Sequence, residues 1–539
     1  MAPLLRTLSR RDAILILLGA LSMHFFSAIA LFGSHSSIVI NTHHQLMQDT
    51  VHDREENFHV SPDQDFNDSH PPVESSSSHD VEPNHTPIPL QDSSLHTHSL
   101  TLPHTTIVEH VPGWTVFRDL YMSNGTLFIV TSSPLNFPDI RFMTSTGLRA
   151  ENTPENIALR EPTPDNMQLI SPEEAEKRWG KEAATRRVWT VEGNTFLFND
   201  PSQFLGHYYH FCAELLFGAW AFWTGAMTDQ SNPPPPIHRA IFPHSSGAGW
   251  RDHPGFNAYF FRAAFPSITV EVDEDWADRV HASSLEAKYE GRAWHFPLLL
   301  LSDRSAAFRG KFCGSENQRT ASEAVDGLIA RGRLSHGGLW WHNVRNALWR
   351  FAGVDESIMD STSGEFEQQD TVVVTYISRQ SGRRHLIEED HDGLVIALEE
   401  LVERKNAERS AYEGTERPRP WELNIIQAEK LSKDEQVRIA ARTTVLLGVH
   451  GNGLSHLILM PRTPISTVIE MFFPGGFAHD YEWTTGALGM QHFAVWNDTY
   501  YTKGDTPRVA YPEGFQGEQI PVYGPTVAKI VEDRVGGLI

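Results

Sequence analysis

The stretch TTVLLGVHGNGLSHLILMP, Thr443 to Pro461, decides how the rest of the chain is read. Val445–Leu447 is an unbroken apolar run leading into Gly448, Val449 and His450, followed by two closely spaced glycines, Gly451 and Gly453. Apolar residues of strand length without alternation suit a central parallel strand, buried on both faces. Leu454 to Met460 then predicts a short helix. The glycines permit a tight strand-to-helix turn and close approach of backbone to a ligand. Amides of residues 451–455 at the helix start would face an anion, with the positive end of the helix dipole behind them. The same run would also suit a plain glycine turn, so its surroundings must choose.

Outward from that stretch, strand and helix signals alternate: Thr371–Ser378, Glu388–Val402, Leu423–Gln427, Asp434–Arg442, Val445–Val449 and Thr467–Phe472. Ser432 with Glu435 forms a capping box at the start of the fourth. This is the pattern of a doubly wound parallel domain, assigned to residues 371–539, and ligands in such sheets sit beyond the carboxyl ends of strands. His450, Gly451, Asn452 and Gly453 fall there. So do Arg379, Arg383 and Arg384, which directly follow strand Thr371–Ser378. A guanidinium fork suits bidentate phosphate contact; the plainer alternative is a solvated basic turn.

Residues 105–353 show a second mixed α/β pattern, joined by a polar linker over 354–370. Tyr209–Trp223 predicts an apolar helix, on which His210 and Glu214 share a face at i, i+4. A carboxylate against an imidazole fixes its tautomer and raises its basicity, as a general base requires, although either residue could be the base. Asp273-Glu274-Asp275 offers a metal-binding D-x-D, but Asp63-Gln64-Asp65 and Asp390-His391-Asp392 match equally. G-x-S-x-G, Walker, H-E-x-x-H and paired C-x-x-C signatures are missing, which removes the support for hydrolase, NTPase and zinc readings. Cys212 and Cys313, the two cysteines, permit one bridge or two buried thiols.

A chain of 539 residues exceeds one core, and its net charge of −24 opposes nucleic acid or acidic membrane surfaces as partners. Residues 13–33 are apolar and long enough to span a bilayer. Arg6, Arg10 and Arg11 precede them in a cytosolic tail, residues 1–12, which predicts a signal anchor and a lumenal bulk. Residues 34–104 are rich in Ser, His, Pro and Asp and predict a disordered stem. Sequons at Asn67, Asn84, Asn124 and Asn497 agree with a lumenal address. The expected location is the Golgi or endoplasmic reticulum membrane, single-pass type II.

Three blocks together resemble glycosyltransferase family 61, lumenal enzymes that use nucleotide sugars. Tyr209-His210-Phe211-Cys212-Ala213-Glu214 is similar to the family's Y/G-H-x-x-x-D/E helix. Tyr376-Ile377-Ser378-Arg379 with Arg383-Arg384 is similar to its strand followed by S-R and R-R. Gly448-Val449-His450-Gly451-Asn452-Gly453-Leu454, with Met460-Pro461 and Val468-Ile469-Glu470, resembles its G-x-H-G-A-x-L … V-x-E block. Two positions depart: His207 stands where the family usually has Asn, and Asn452 where it usually has Ala. The resemblance implies a GT-B-like α/β fold, two Rossmann-like doubly wound domains across a cleft, and inverting transfer with no obligatory metal. The donor is expected to be a UDP-sugar such as UDP-xylose or UDP-GlcNAc, and the acceptor a glycan or glycoprotein hydroxyl. Arg379, Arg383, Arg384 and the 450–453 loop are expected to hold the diphosphate, with Glu470 on the ribose. The alternatives are a metal-dependent GT-A-type transferase using Asp273 and Asp275, and a non-catalytic carbohydrate-binding protein.

Overall fold

A computed structural model describes residues 101–182, 186–227, 234–284, 291–355, 369–517 and 519–539. The expected anchor, the stem up to residue 100, Asn67, Asn84 and most of the linker lie outside the described residues; Leu102, in the last residues assigned to the stem, is buried. Among the described residues no helix is long and apolar enough to cross a membrane. All of them belong to one compact unit.

The second half of the chain follows its apolar pattern closely. Six strands form one sheet, ordered Trp421–Ile426, Val372–Ile377, Val445–Val449, Thr467–Met471, Gln491–Trp496 and Thr499–Tyr501. The first five are parallel and the last antiparallel. In chain order the parallel strands read 2-1-3-4-5, so the winding reverses between Val372–Ile377 and Val445–Val449. Sheets of this kind take ligands beyond the carboxyl ends of the strands at such a reversal. The register pairs Tyr376 with Leu447 and Ile377 with Gly448. Arg379 and His450, each two residues further on, therefore leave the sheet at the same height.

Both faces of this sheet are covered, which is why its strands read as continuous apolar runs. Val445, Leu447 and Val449 pack with Leu394, Leu398 and Leu401 of helix Glu388–Ser410 and with Val527, Ile530 and Val531 of the last helix. The former helix runs eight residues beyond the expected Val402. Arg404 and Lys405 in that extension pair with Glu532 of the last helix. Ser432 and Glu435 form the predicted capping box of helix Lys433–Arg442.

Residues 106–302 supply a nine-stranded mixed sheet. One side is an antiparallel meander beginning with Thr106–Val111, Trp114–Ser123 and Thr126–Val130. The other is a parallel run of Ala293–Ser302, Thr195–Phe198, Arg239–Ile241 and Thr269–Glu271. The whole is mixed α/β with two parallel-rich sheets, compatible with a two-domain Rossmann-like fold.

The remaining face of the second sheet, through Ile377, Leu446 and Val468, joins a core that includes Phe217, Trp341 and Trp349 of the first half. The short helix expected from Leu454 is present as a 3₁₀ helix, Asn452–Leu459. Its last carbonyls are taken by the first half: Trp341 Nε1 donates to Ile458 O at 2.9 Å, Trp349 Nε1 to Leu459 O at 2.9 Å and Arg345 Nη1 to Met460 O at 2.8 Å. Helix-end carbonyls need such partners when buried. They hold the His450 loop against the first half.

Candidate active site

Beyond Ile377 and Val449 lie Arg379 and Arg384, and among the described residues neither has a carboxylate hydrogen-bond partner. Arg379 Nη1 has one long contact, 3.4 Å, to His450 O. Arg384 has Nε and Nη1 shielded from solvent with no hydrogen-bond partner. Burial first and Arg379 second push the Arg384 guanidinium down to about 10, and burial lowers Arg379 as well. Two guanidiniums held together in this way favour an anion between or beside them. Gly451 makes the arrangement possible: its φ is +152°, and a Cβ there would collide with Arg379 Nη1. Gly453 lies just as close to the sheet, where a Cβ would meet Ile377 Cγ2 at 3.1 Å.

The other expected residues of this side are turned elsewhere. Arg383 is exposed and donates to Gln516 Oε1 at 3.0 Å. Asn452 Oδ1 accepts from the Tyr209 amide at 3.1 Å and from Ser455 Oγ at 3.2 Å, tying the loop to the first half. Glu470, expected on a ribose, is wholly buried, with Oε1 2.5 Å from His450 Nδ1 and Oε2 2.8 Å from His492 Nε2. Alternation explains the difference. Ile469 and Met471 point to the outer helices, so Glu470 faces the interior between the halves, where imidazoles close over it. Burial raises its carboxyl well above the usual range, lowers His450 well below it and brings His492 to about 4. This pocket favours neutral forms and fixes the His450 ring, which also stacks on Phe472 at 5.1 Å.

Across from the arginines, the expected helix Tyr209–Trp223 divides into a π-helix, Tyr209–Leu216, and an α-helix, Phe217–Met227. Such widened turns recur at functional sites. His210 Nδ1 lies 2.8 Å from Glu214 Oε2. The His210 side chain keeps 24 % exposure and that of Glu214 only 1 %. Glu214 is saturated: Arg304 Nη1 donates to Oε2 at 2.9 Å and the Thr320 amide to Oε1 at 3.0 Å. Burial alone would raise this carboxyl, but Arg304, His210 and Arg319 hold it well below the usual range. An ionised Glu214 accepts from His210 Nδ1–H, which leaves Nε2 as the basic nitrogen.

Arg304 is the centre of that knot. Its Nε reaches Asp200 Oδ2 at 3.2 Å, its amide reaches Asp200 Oδ1 at 2.9 Å, and its guanidinium carbon lies 4.0 Å from the Phe204 ring centroid. Only Nη2 lacks a partner. Asp200 and Arg304 leave the carboxyl ends of adjacent parallel strands, Thr195–Phe198 and Ala293–Ser302. The first sheet therefore delivers its charged residues at the same kind of edge as the second.

Residues 208–469 match the family described as Glycosyltransferase 61. That stretch is a glycosyltransferase family 61 domain. No curated protein matches it. The matched region of this glycosyltransferase holds His210, Glu214, Arg379, Arg384 and the 450–453 loop; His207 lies just before it and Glu470 just after.

Several site residues of the glycosyltransferase escape sequence reading. Asp200 and Arg304 do, and so does Arg319, which pairs with Asp480 at 2.5 Å. Tyr209 Oη donates to Asp480 O at 2.7 Å beside it. These pairs join positions 104, 161 and 271 residues apart, where no local motif announces them. Asp273 and Asp275 sit in the first turn of helix Asp273–Ser283, and Asp275 Oδ2 accepts from the Val272 amide. Cys212 and Cys313 are buried free thiols. Asn124 and Asn497 are exposed, each at φ of 50°.

Proposed function

We propose that this glycosyltransferase is an inverting enzyme of GT-B architecture, with acceptor-side residues 105–353 and nucleotide-sugar-binding residues 371–539 either side of the 354–370 linker. In this reading the donor is a UDP-sugar, such as UDP-xylose or UDP-GlcNAc, and the acceptor a glycan or glycoprotein hydroxyl. The observation that carries it is Arg384, whose shielded Nε and Nη1 lack partners beside Gly451 at the reversal of strand order. A diphosphate supplies the missing acceptors.

The transfer is a single displacement. His210 Nε2 takes the acceptor hydroxyl proton as the oxygen attacks the anomeric carbon. The anomeric carbon–phosphate oxygen bond breaks from the opposite face, and its electron pair leaves with UDP. Arg379 and Arg384 stabilise the charge developing there, the role that preorganised donors fill in group transfer. Those two guanidiniums make a divalent metal unnecessary in this mechanism. Glu214, saturated by Arg304 and Thr320, orients His210 and stabilises its protonated form. Glu470 holds His450 in place.

The test is turnover of a UDP-sugar with and without EDTA, for the parent and two variants. His210→Ala should lower kcat by about 10²–10⁴, the usual worth of a general base. Glu214→Gln should lower it less. Greater damage from Glu214→Gln than from His210→Ala would make the carboxylate the base, and loss of turnover in EDTA would restore a metal-dependent route.

The charge flank at Arg6, Arg10 and Arg11, the apolar run 13–33 and the exposed Asn124 and Asn497 support a type II anchor in the Golgi or endoplasmic reticulum membrane. Glycosidase treatment of the full-length chain from membranes should shift its mass; an unshifted, soluble chain would contradict this.

A further inference from the structure

His207 belongs to the loop that enters the π-helix, one turn before His210. The two ring centroids are 4.9 Å apart, tilted by 47°. His207 Nδ1 is shielded from solvent and has no hydrogen-bond partner. Two residues on, the Tyr209 amide donates to Asn452 Oδ1 at 3.1 Å, next to Gly451, where Arg379 and Arg384 approach; His207 therefore lies on the segment that joins the imidazole assigned as base to the arginine-lined loop. Burial and the neighbouring cations together hold its pKa down to about 3, which leaves the ring neutral with one N–H.

A buried polar atom without a partner loses its hydration and gains nothing in return. Native proteins keep few of them, and each calls for an explanation. His207 Nδ1, from the first half, and Arg384 Nε and Nη1, from the second, are three such atoms on segments that meet at the 450–453 loop. All three can donate. Nothing basic or acidic among the described residues answers them, whereas a single anion with several oxygens answers them all. The packing constraint on Gly451 points the same way, since it exists to let Arg379 and Arg384 approach the loop.

We propose that His207 is a donor-binding residue, whose Nδ1–H donates to an oxygen of the leaving β-phosphate while Arg384 holds the same group from the other half. The diphosphate then bridges the two halves, and donor binding brings the base side and the nucleotide side into one arrangement before the acceptor reacts. The neutral ring donates without giving up its proton, so it stabilises the departing phosphate and does not compete with His210 as base. This rests on the reading of the Arg379–Arg384 pair as the diphosphate site.

The experiment titrates UDP and UMP into the full-length protein and three variants. UMP lacks the β-phosphate, so the UDP-to-UMP affinity ratio isolates that contact. His207→Ala should weaken UDP about tenfold while UMP changes less than about twofold, one hydrogen bond to a charged group being worth that much. His207→Asn keeps a side-chain N–H and should recover part of the loss. Arg384→Ala should also weaken UDP. If Arg384→Ala weakens UDP but His207→Ala leaves the UDP-to-UMP ratio unchanged, the assignment of His207 is overturned and the diphosphate site stands. If neither variant moves the ratio, the site itself is misplaced. A lower melting temperature for His207→Ala with an unchanged ratio counts against the proposal, because packing alone would produce it.

Discussion

Arg304 and Arg384 each follow the carboxyl end of a parallel strand, and each has most of its guanidinium out of water, but their surroundings differ. Arg304 meets Asp200 and Glu214 in the same core, so its charge is compensated before any ligand arrives. Arg384 meets a second arginine, a glycine loop and Tyr481, and no carboxylate hydrogen-bonds to it among the described residues. A compensated charge belongs to the architecture: it holds Glu214 ionised, and Glu214 holds His210. An uncompensated one stores a cost that binding relieves. The chain carries a net charge of −24, yet among the described residues no carboxylate hydrogen-bonds to either arginine at this edge. On the proposed reading, this difference separates the residues that shape the site from those that would touch the substrate.

The compensated side should break hardest. Arg304→Met leaves two buried carboxylates unpaired, and removing one partner of a buried ion pair typically costs about 3–5 kcal/mol. Chemical denaturation should read a loss of that size. Combining Arg304→Met with Asp200→Asn and Glu214→Gln removes the charges together and should recover much of it. A loss below about 1 kcal/mol for Arg304→Met would mean that the knot is solvated and does not hold Glu214.

The second sheet was the legible one. Its strands are short apolar runs at even spacing, and Val445–Val449 has the ends that its sequence predicts. Arg379 and Arg384 were legible because they follow a strand directly. Arg304 has a similar signature, an apolar run ending in Ser302-Asp303-Arg304, but its meaning depends on Asp200 and Glu214, 104 and 90 residues earlier in the chain. Sequence spacing could not show that Glu214 is saturated, and so could not choose between it and His210. Helix type was also illegible: Leu454–Met460 reads only as a short apolar helix, while the 3₁₀ winding is held from outside by Trp341, Arg345 and Trp349. The family resemblance places Asn452 and Glu470 at the ligand by their positions in the loop and strand. The fold spends Asn452 on the Tyr209 amide and Glu470 on two imidazoles.

The claim that an unpaired guanidinium marks the diphosphate site is tested most directly by calorimetric titration of UDP into the Arg384 variants. Arg384→Ala should weaken binding by about 1.5–3 kcal/mol, the worth of a hydrogen bond to a charged group. Arg384→Lys should recover only part, since lysine lacks the fork. Arg383→Ala, whose parent side chain is exposed and bound to Gln516, should change the affinity by no more than about 0.5 kcal/mol, as for an ordinary surface substitution. UDP affinity equal to the parent's in both Arg384 variants would contradict the account.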